Sequence, residues 1–154
     1  MIEIRDYQDA DSTALADIFT RAVRQIARRD YSPAQIAAWA PEERDMTEFA
    51  ARRGGKLTFV AEYKGKVAGF TDLDTEGHID MFYVSPDFQR RGIGSAMLRF
   101  VTARAQSDRV KRLHGEVSIT ARPVFERHGF KVVAYQTVET NGQSLGNYRM
   151  EKLL

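Results

Sequence analysis

The chain contains no cysteine, which removes disulfides, thiolate zinc sites, iron–sulfur clusters and a cysteine nucleophile together. Three scattered histidines, without cysteines beside them, make no metal site either. No apolar run approaches the ~20 residues that cross a bilayer. Met1-Ile2-Glu3-Ile4-Arg5-Asp6 lacks the basic-then-apolar order of a secretory signal. The expectation is a cytoplasmic protein with no membrane partner. Charge of one sign is scarce too: 23 basic against 21 acidic residues leave +2. The pI is near 9.0, yet no concentrated basic stripe marks a nucleic-acid binder. What is present is ordinary globular material, 43% hydrophobic and 29% charged over 154 residues. That length suits one domain, 1–154, able to bury about two-thirds of its unfolded surface.

Residues 2–5 alternate as a short strand. Asp9 or Asp11 offers a helix N-cap, and Leu15, Ile18, Phe19, Ala22, Val23 and Ile26 follow at helical spacing up to Arg28-Arg29. Arg21, Arg24, Arg28 and Arg29 are expected on the solvated face of that helix. Ser32-Pro33-Ala34-Gln35 combines a serine cap, a first-turn proline and a capping-box glutamine. Pro41-Glu42-Glu43 begins a further helix, with Arg52-Arg53 in its last turn and Gly54 as its stop. Leu57–Tyr63 and Val67–Leu73 are β-rich runs joined at Lys64-Gly65-Lys66, and His78–Val84 continues an antiparallel meander. A helix is expected over 92–105, a strand over 113–117 and a short helix over 121–128. Two final strands meet across Asn141-Gly142, a tight-turn dipeptide. The order β-α-α-β-β-β-α-β-α-β-β describes a single α+β domain around one mixed, mostly antiparallel sheet flanked by helices.

Chemistry concentrates in Phe82-Tyr83-Val84-Ser85-Pro86-Asp87-Phe88-Gln89-Arg90-Arg91-Gly92-Ile93-Gly94-Ser95. A strand runs into a loop with two arginines and two closely spaced glycines, and a helix starts at once. Helix N-termini present unpaired N–H groups and partial positive charge, which suits a phosphate. Arg90 and Arg91 add charge, and Gly92 and Gly94 permit close backbone approach. Gly-x-Gly alone is equally an ordinary tight turn beside solvated arginines. A dinucleotide-binding fingerprint is excluded because Met97 stands where its third glycine belongs, and no Gly-Lys-Ser/Thr exists for a P-loop.

Gln89-Arg90-Arg91-Gly92-Ile93-Gly94 resembles the Gln/Arg-x-x-Gly-x-Gly/Ala pyrophosphate loop of the GNAT superfamily of acyl-CoA-dependent N-acyltransferases. Ser118-Ile119-Thr120-Ala121-Arg122-Pro123-Val124-Phe125-Glu126-Arg127-His128-Gly129-Phe130 is similar to a second segment of that family, Asn-x-x-Ala-x-x-x-Tyr-x-x-x-Gly-Phe. The resemblance spans nearly the whole chain and implies acetyl-CoA as co-substrate, without a metal. It implies a V-shaped opening beside the strand before the loop, where Phe82, Tyr83 and Val84 pair with the pantetheine arm like an added strand. The backbone of Arg90 through Ser95 would cradle the pyrophosphate. Ser118 stands where many members carry asparagine. Phe125 replaces the tyrosine whose hydroxyl, in the family, protonates the departing thiolate; Tyr83 or Tyr148 would have to serve, or the step needs no donor.

An amine of pKa about 10 must lose a proton before it attacks. His78 and Asp80 share a strand face and are the base candidates, with Glu116 third and water as the alternative. Tyr31 and Trp39 fall in the region where the family builds its acceptor wall. The implied reaction moves acetyl to a primary amine of a small molecule or peptide. A protein N-terminus or lysine as acceptor remains open, as does a CoA-binding module with little catalysis, which Phe125 keeps alive. An exposed strand edge could pair two copies as a homodimer.

Overall fold

The computed structural model describes residues 1–41 and 57–154. The expected helix over Glu42–Arg53 and its stop at Gly54 lie outside the described residues. The chain opens with β1 (Ile2–Asp6), and a short 3-10 turn (Asp9–Asp11) leads into α1 (Ser12–Arg21). Asp11 stands at the expected N-cap, but its carboxylate is engaged elsewhere. It takes a two-pronged bond from the Arg5 guanidinium, at 2.8 Å to each oxygen, and the Gln8 N–H at 2.9 Å. The Arg5 bonds hold the Asp11 carboxyl below the usual carboxylate range.

After α1 the helix widens to one π turn (Ala22–Ile26) and then tightens to a 3-10 turn (Ala27–Arg29). Two arginines expected in solvent instead make specific bonds. Arg24 donates twice to the Ala40 carbonyl, at 2.7 and 3.0 Å, and Arg21 forms a two-pronged pair with Asp87. The capping box at Ser32 forms as the sequence implies: Ser32 Oγ accepts from the Gln35 N–H, and Gln35 Oε1 accepts from the Ser32 N–H. It starts α2 (Pro33–Trp39).

β2 (Leu57–Tyr63) and β3 (Lys66–Leu73) form a hairpin through Lys64-Gly65, both at positive φ. The expected third strand of the meander is broken into β4 (His78–Ile79) and β5 (Phe82–Val84). Then come a 3-10 turn (Pro86–Phe88), α3 (Ile93–Ser107), β6 (Arg112–Ser118), α4 (Arg122–Arg127), β7 (Lys131–Thr140) and β8 (Gln143–Leu153).

The break in the third strand divides the sheet. One sheet has the order β1-β2-β3-β5, antiparallel throughout, and the other β4-β6-β8-β7. In the second sheet β4 runs parallel to β6, while β6–β8 and β8–β7 are antiparallel. On one side Leu15, Ile18 and Phe19 of α1, with Val23 of the π turn, pack against Val60 and Phe70. On the other, α3 and α4 bring Leu98, Val101 and Phe125 against Phe59, Leu73 and Met150.

α2 is stitched to the β7–β8 hairpin by three hydrogen bonds. Tyr31 donates its hydroxyl to the Gly146 carbonyl at 2.6 Å, Gln35 donates to the Ser144 carbonyl at 2.9 Å, and Asn141 donates to the Ala38 carbonyl at 2.8 Å. The Tyr31 oxygen also accepts the Ile119 N–H at 3.0 Å. Its burial pushes the phenol pKa up. Tyr31→Phe keeps the ring and strands both backbone partners, a loss of roughly 1–3 kcal/mol for buried polar groups left unmade. Thermal denaturation should show a midpoint lower by several degrees; an unchanged midpoint would contradict the role given to the hydroxyl.

Candidate functional site

The site begins where the chain changes sheets. Ile79 is the last residue of β4, opposite Gly115 of β6, and Phe82 is the first of β5, opposite Thr71 of β3. Two glycines permit the close approach at either end. A Cβ on Gly115 would lie 2.7 Å from the Ile79 carbonyl oxygen, and one on Gly69 would lie 2.9 Å from that of Tyr83. Ser85 donates its N–H to the Ala68 carbonyl at 2.8 Å, so Ser85 and Tyr83 occupy the hydrogen-bonded positions of the antiparallel ladder with β3. By the alternation of such ladders, the N–H and C=O of Phe82 and Val84 face away from β3. They face the gap where β6, beyond Gly115, has no strand on its β4 side among the described residues.

Two clefts meet at that gap. The larger, of about 440 Å³, is walled by Tyr31, Trp39, Asp80, Glu116, Phe125 and Asn147, among others. The smaller, of about 120 Å³, runs along the π turn at Ala22, Val23 and Ile26 to Val84 and Gln89. Trp39, Phe82, Tyr83, Ser118 and Ala121 border both. Tyr83 is fixed at this junction by aromatic neighbours: Phe19 at 4.9 Å, Phe70 at 5.8 Å and Trp39 at 6.4 Å between ring centres.

The glycine loop closes the outer end of the smaller cleft. Ser85 Oγ accepts the Asp87 N–H, and Gln89 donates its side-chain amide to the Ser85 carbonyl. Arg90 and Gly92 take left-handed φ of 60° and 79°, which turns the chain into α3. The first-turn N–H groups of Ile93, Gly94 and Ser95 are therefore directed outward along the helix axis. Ile93 itself is buried and anchors the helix to Ala61 and Ala68. A Cβ on Gly94 would sit 3.3 Å from the Phe82 ring. Arg90 and Arg91 are exposed, Arg91 lying over the Tyr63 ring at 5.4 Å. Ser95 Oγ meets His128 Nε2 at 2.8 Å, a contact the sequence did not reveal.

The other candidates separate. Asp80 lines the larger cleft, and so does Glu116. His78 does not line it; its Nε2 stands 2.8 Å from Glu116 Oε1, behind that carboxylate. Ser118 Oγ accepts the Ala121 N–H at 3.0 Å and so secures the turn into α4 while lining both clefts. Phe125 is buried in an aromatic row, 4.9 Å from Phe82 and 5.0 Å from Phe130. Tyr148 is not among the residues lining either cleft. It lies under the Arg122 guanidinium at 4.4 Å, so of the two tyrosines weighed as proton donors only Tyr83 borders the junction. Asn147, whose side-chain oxygen accepts from Gln136, and the buried Asp72 were not singled out from the sequence. Neither carries a motif; only topology brings them to the site.

The profile of the Acetyltransferase (GNAT) domain matches residues 27–152. The chain is 38% identical over 149 residues to the uncharacterized N-acetyltransferase YafP of Escherichia coli (strain K12), covering 97% of this chain and 94% of YafP. It superposes on a GCN5-related N-acetyltransferase (aminotransferase, class-II) from Rhodopseudomonas palustris with a TM-score of 0.94 at 34% identity, over 99% of this chain and 95% of that one. The PaiA N-acetyltransferase of Thermoplasma acidophilum, solved in complex with coenzyme A, superposes with a TM-score of 0.78 at 18% identity, over 100% and 99% of the two chains. At that identity the likeness concerns the fold.

His128 gives the loop region a pH signature. Burial pushes its pKa below the ordinary 6.5, and Arg99, Lys152 and Arg127 push the same way. Its folded-state pKa is depressed, so the unfolded chain takes up the proton first. Stability is complete above about 6.5 and falls as pH drops through the interval down to the folded value, by at most about 1.4 kcal/mol per pH unit. His128→Gln should flatten that part of the profile. Urea midpoints at pH 7.5 and 5.5 check it, and an equal acid-side loss in both proteins would refute it.

Proposed function

The chain belongs to the GNAT family of acetyl-CoA-dependent acetyltransferases, and from that premise we propose that it acetylates a primary amine of a small molecule or peptide by direct attack within a ternary complex. The observation that carries this reading is the continuity of the two clefts past the open edge of β5. One end adjoins a helix N-terminus with two exposed arginines, and the other is acidic. Acyl-CoA belongs in the smaller cleft. Its pyrophosphate meets the N–H groups of residues 90–95 with Arg90, Arg91 and Gln89 beside them. Its pantetheine amides pair with the backbone of Phe82 and Val84, as an added strand would. Coenzyme A in PaiA supports the same choice of ligand.

The acceptor enters the larger cleft between Trp39 and Tyr31 on one wall and Asp80 and Glu116 on the other. Two carboxylates favour a cation, which suits an amine that arrives protonated. The amine nitrogen loses its proton and attacks the thioester carbon. The oxyanion that forms meets a backbone N–H near Val84 that no pantetheine amide engages. The C–S bond then breaks, CoA leaves as thiolate, and the second proton on the nitrogen passes to that thiolate or to water, leaving the neutral amide. Without cysteine, an acyl-cysteine intermediate is excluded, so positioning the two substrates carries much of the acceleration. Asp80 is the base assigned to this reaction. His78 acts only through Glu116, as a pair that competes for the assignment.

Charge reversal at both loop arginines (Arg90→Glu with Arg91→Glu) should weaken CoA binding by roughly one to a few kcal/mol, the worth of charge-assisted contacts. Gly94→Asp should be at least as harmful, because its carboxylate would stand between Phe82 and the pyrophosphate. Titration calorimetry decides; unchanged affinity in both variants would remove CoA from this loop. For the base, Asp80→Asn should abolish the acidic limb of the kcat/KM profile and cost about 10²-fold or more in rate. If that variant keeps the limb while Glu116→Gln and His78→Gln both lose it, the base is the Glu116–His78 pair.

A further inference from the structure

We infer that Asp72, on β3, is the positioning residue that sets the register of β5 and so determines which backbone groups face acyl-CoA; the inference rests on the CoA reading above. Asp72 is 0% exposed. Its Oδ1 accepts the Asp80 N–H at 2.7 Å, and its two oxygens share the Met81 N–H at 3.2 and 3.3 Å. The neighbouring Thr71, also fully buried, donates its hydroxyl to the Met81 carbonyl at 2.8 Å. Met81 is in phase with Tyr83 and Ser85, whose backbone groups face β3. At Met81, however, the partners of both backbone groups are β3 side chains, so Thr71 and Asp72 complete the ladder there. Two successive N–H groups converge on one carboxylate, which has the lone pairs to receive both.

The consequence concerns register. With Met81 held in this phase, Phe82 and Val84 present N–H and C=O to the gap. A slip of one residue, about 3.4 Å, would turn those groups towards β3 and carry the side chains to opposite faces. Tyr83 would leave Phe19 and Phe70, and the pantetheine arm would meet the wrong groups. Without the carboxylate, the N–H groups of Asp80 and Met81 need other partners. The straight continuation of β4 along β6 offers them, and it closes the gap. Asp72 therefore holds the two sheets apart and fixes the backbone from which the Asp80 side chain projects.

The test compares Asp72→Ala, Asp72→Asn and Thr71→Val in the intact chain, by calorimetric titration with CoA, steady-state kinetics and amide NMR. Asp72→Ala should raise the CoA Kd and the acetyl-CoA KM together by about tenfold or more, with a smaller change in the acceptor KM. Asp72→Asn, which retains one acceptor oxygen, should recover most of the affinity while shifting the Asp80 and Met81 amide protons upfield. Thr71→Val should fall between them. A cooperatively folded Asp72→Ala that binds CoA within twofold of the parent overturns the inference. If Asp72→Ala does not fold, unmoved Asp80 and Met81 amides in Asp72→Asn, or an unchanged CoA Kd in Thr71→Val, overturns it instead. A parent chain that binds no CoA would overturn the proposed function, and the amide shifts in Asp72→Asn would still decide the register.

Discussion

The molecule is organised around a single strand that belongs to two sheets. His78 and Ile79 pair with β6, and three residues later Phe82 pairs with β3. The pairing changes sheets at that crossing, so a gap opens between β5 and β6, and the backbone groups of Phe82 and Val84 face it. Hydrogen-bonding groups left over in this way are costly when buried and useful when a ligand supplies the partners. Under the proposed function that edge binds the ligand through backbone alone. The side chains that matter are those that keep the crossing from healing: glycines at 69 and 115, where a Cβ would collide, and the buried pair Thr71 and Asp72.

The surroundings of the gap are held from several directions at once. Arg21 links the end of α1 to Asp87, just before the glycine loop. Arg24 ties the π turn to the end of α2. Three bonds join α2 and Tyr31, two residues before it, to the final hairpin. The π turn itself lines the smaller cleft. An extra residue within one helical turn changes the direction of the side chains around it, so small and branched apolar groups at 22, 23 and 26 form the wall opposite β5.

Much of this was legible from the sequence. The Ser32 capping box, the Lys64-Gly65 and Asn141-Gly142 turns and the Gly129 stop (φ 89°) all appear where local chemistry puts them. The glycine loop was legible because its residues are contiguous. What local patterns could not supply were features defined by partners distant in sequence. The break in 78–84 depends on the side chains of residues 71 and 72, which read simply as part of a strand. Arg21 and Arg24 looked solvated because Asp87 and the Ala40 carbonyl, their partners, lie far along the chain. A π turn leaves the apolar spacing of a helix almost unchanged, so periodicity passes over it. His78 and Asp80 shared a face in a straight strand; the crossing separated them, leaving Asp80 in the cleft and His78 behind Glu116.

That separation bears on the replacement of the family's tyrosine by Phe125. An acyl transfer between a thioester and an amine has two proton problems of unequal size. A thiol of pKa near 8.5 leaves tolerably as thiolate at neutral pH, whereas an amine of pKa about 10 is almost wholly protonated. Under the proposed function the greater need is for a proton acceptor on the amine's side, where the larger cleft carries Asp80 and Glu116. Phe125 lines the same cleft from an aromatic row, packed edge-on between Phe82 and Phe130. Under the proposed function a phenylalanine at 125 fits a reaction whose proton chemistry lies on the amine, the thiolate leaving by its own modest basicity.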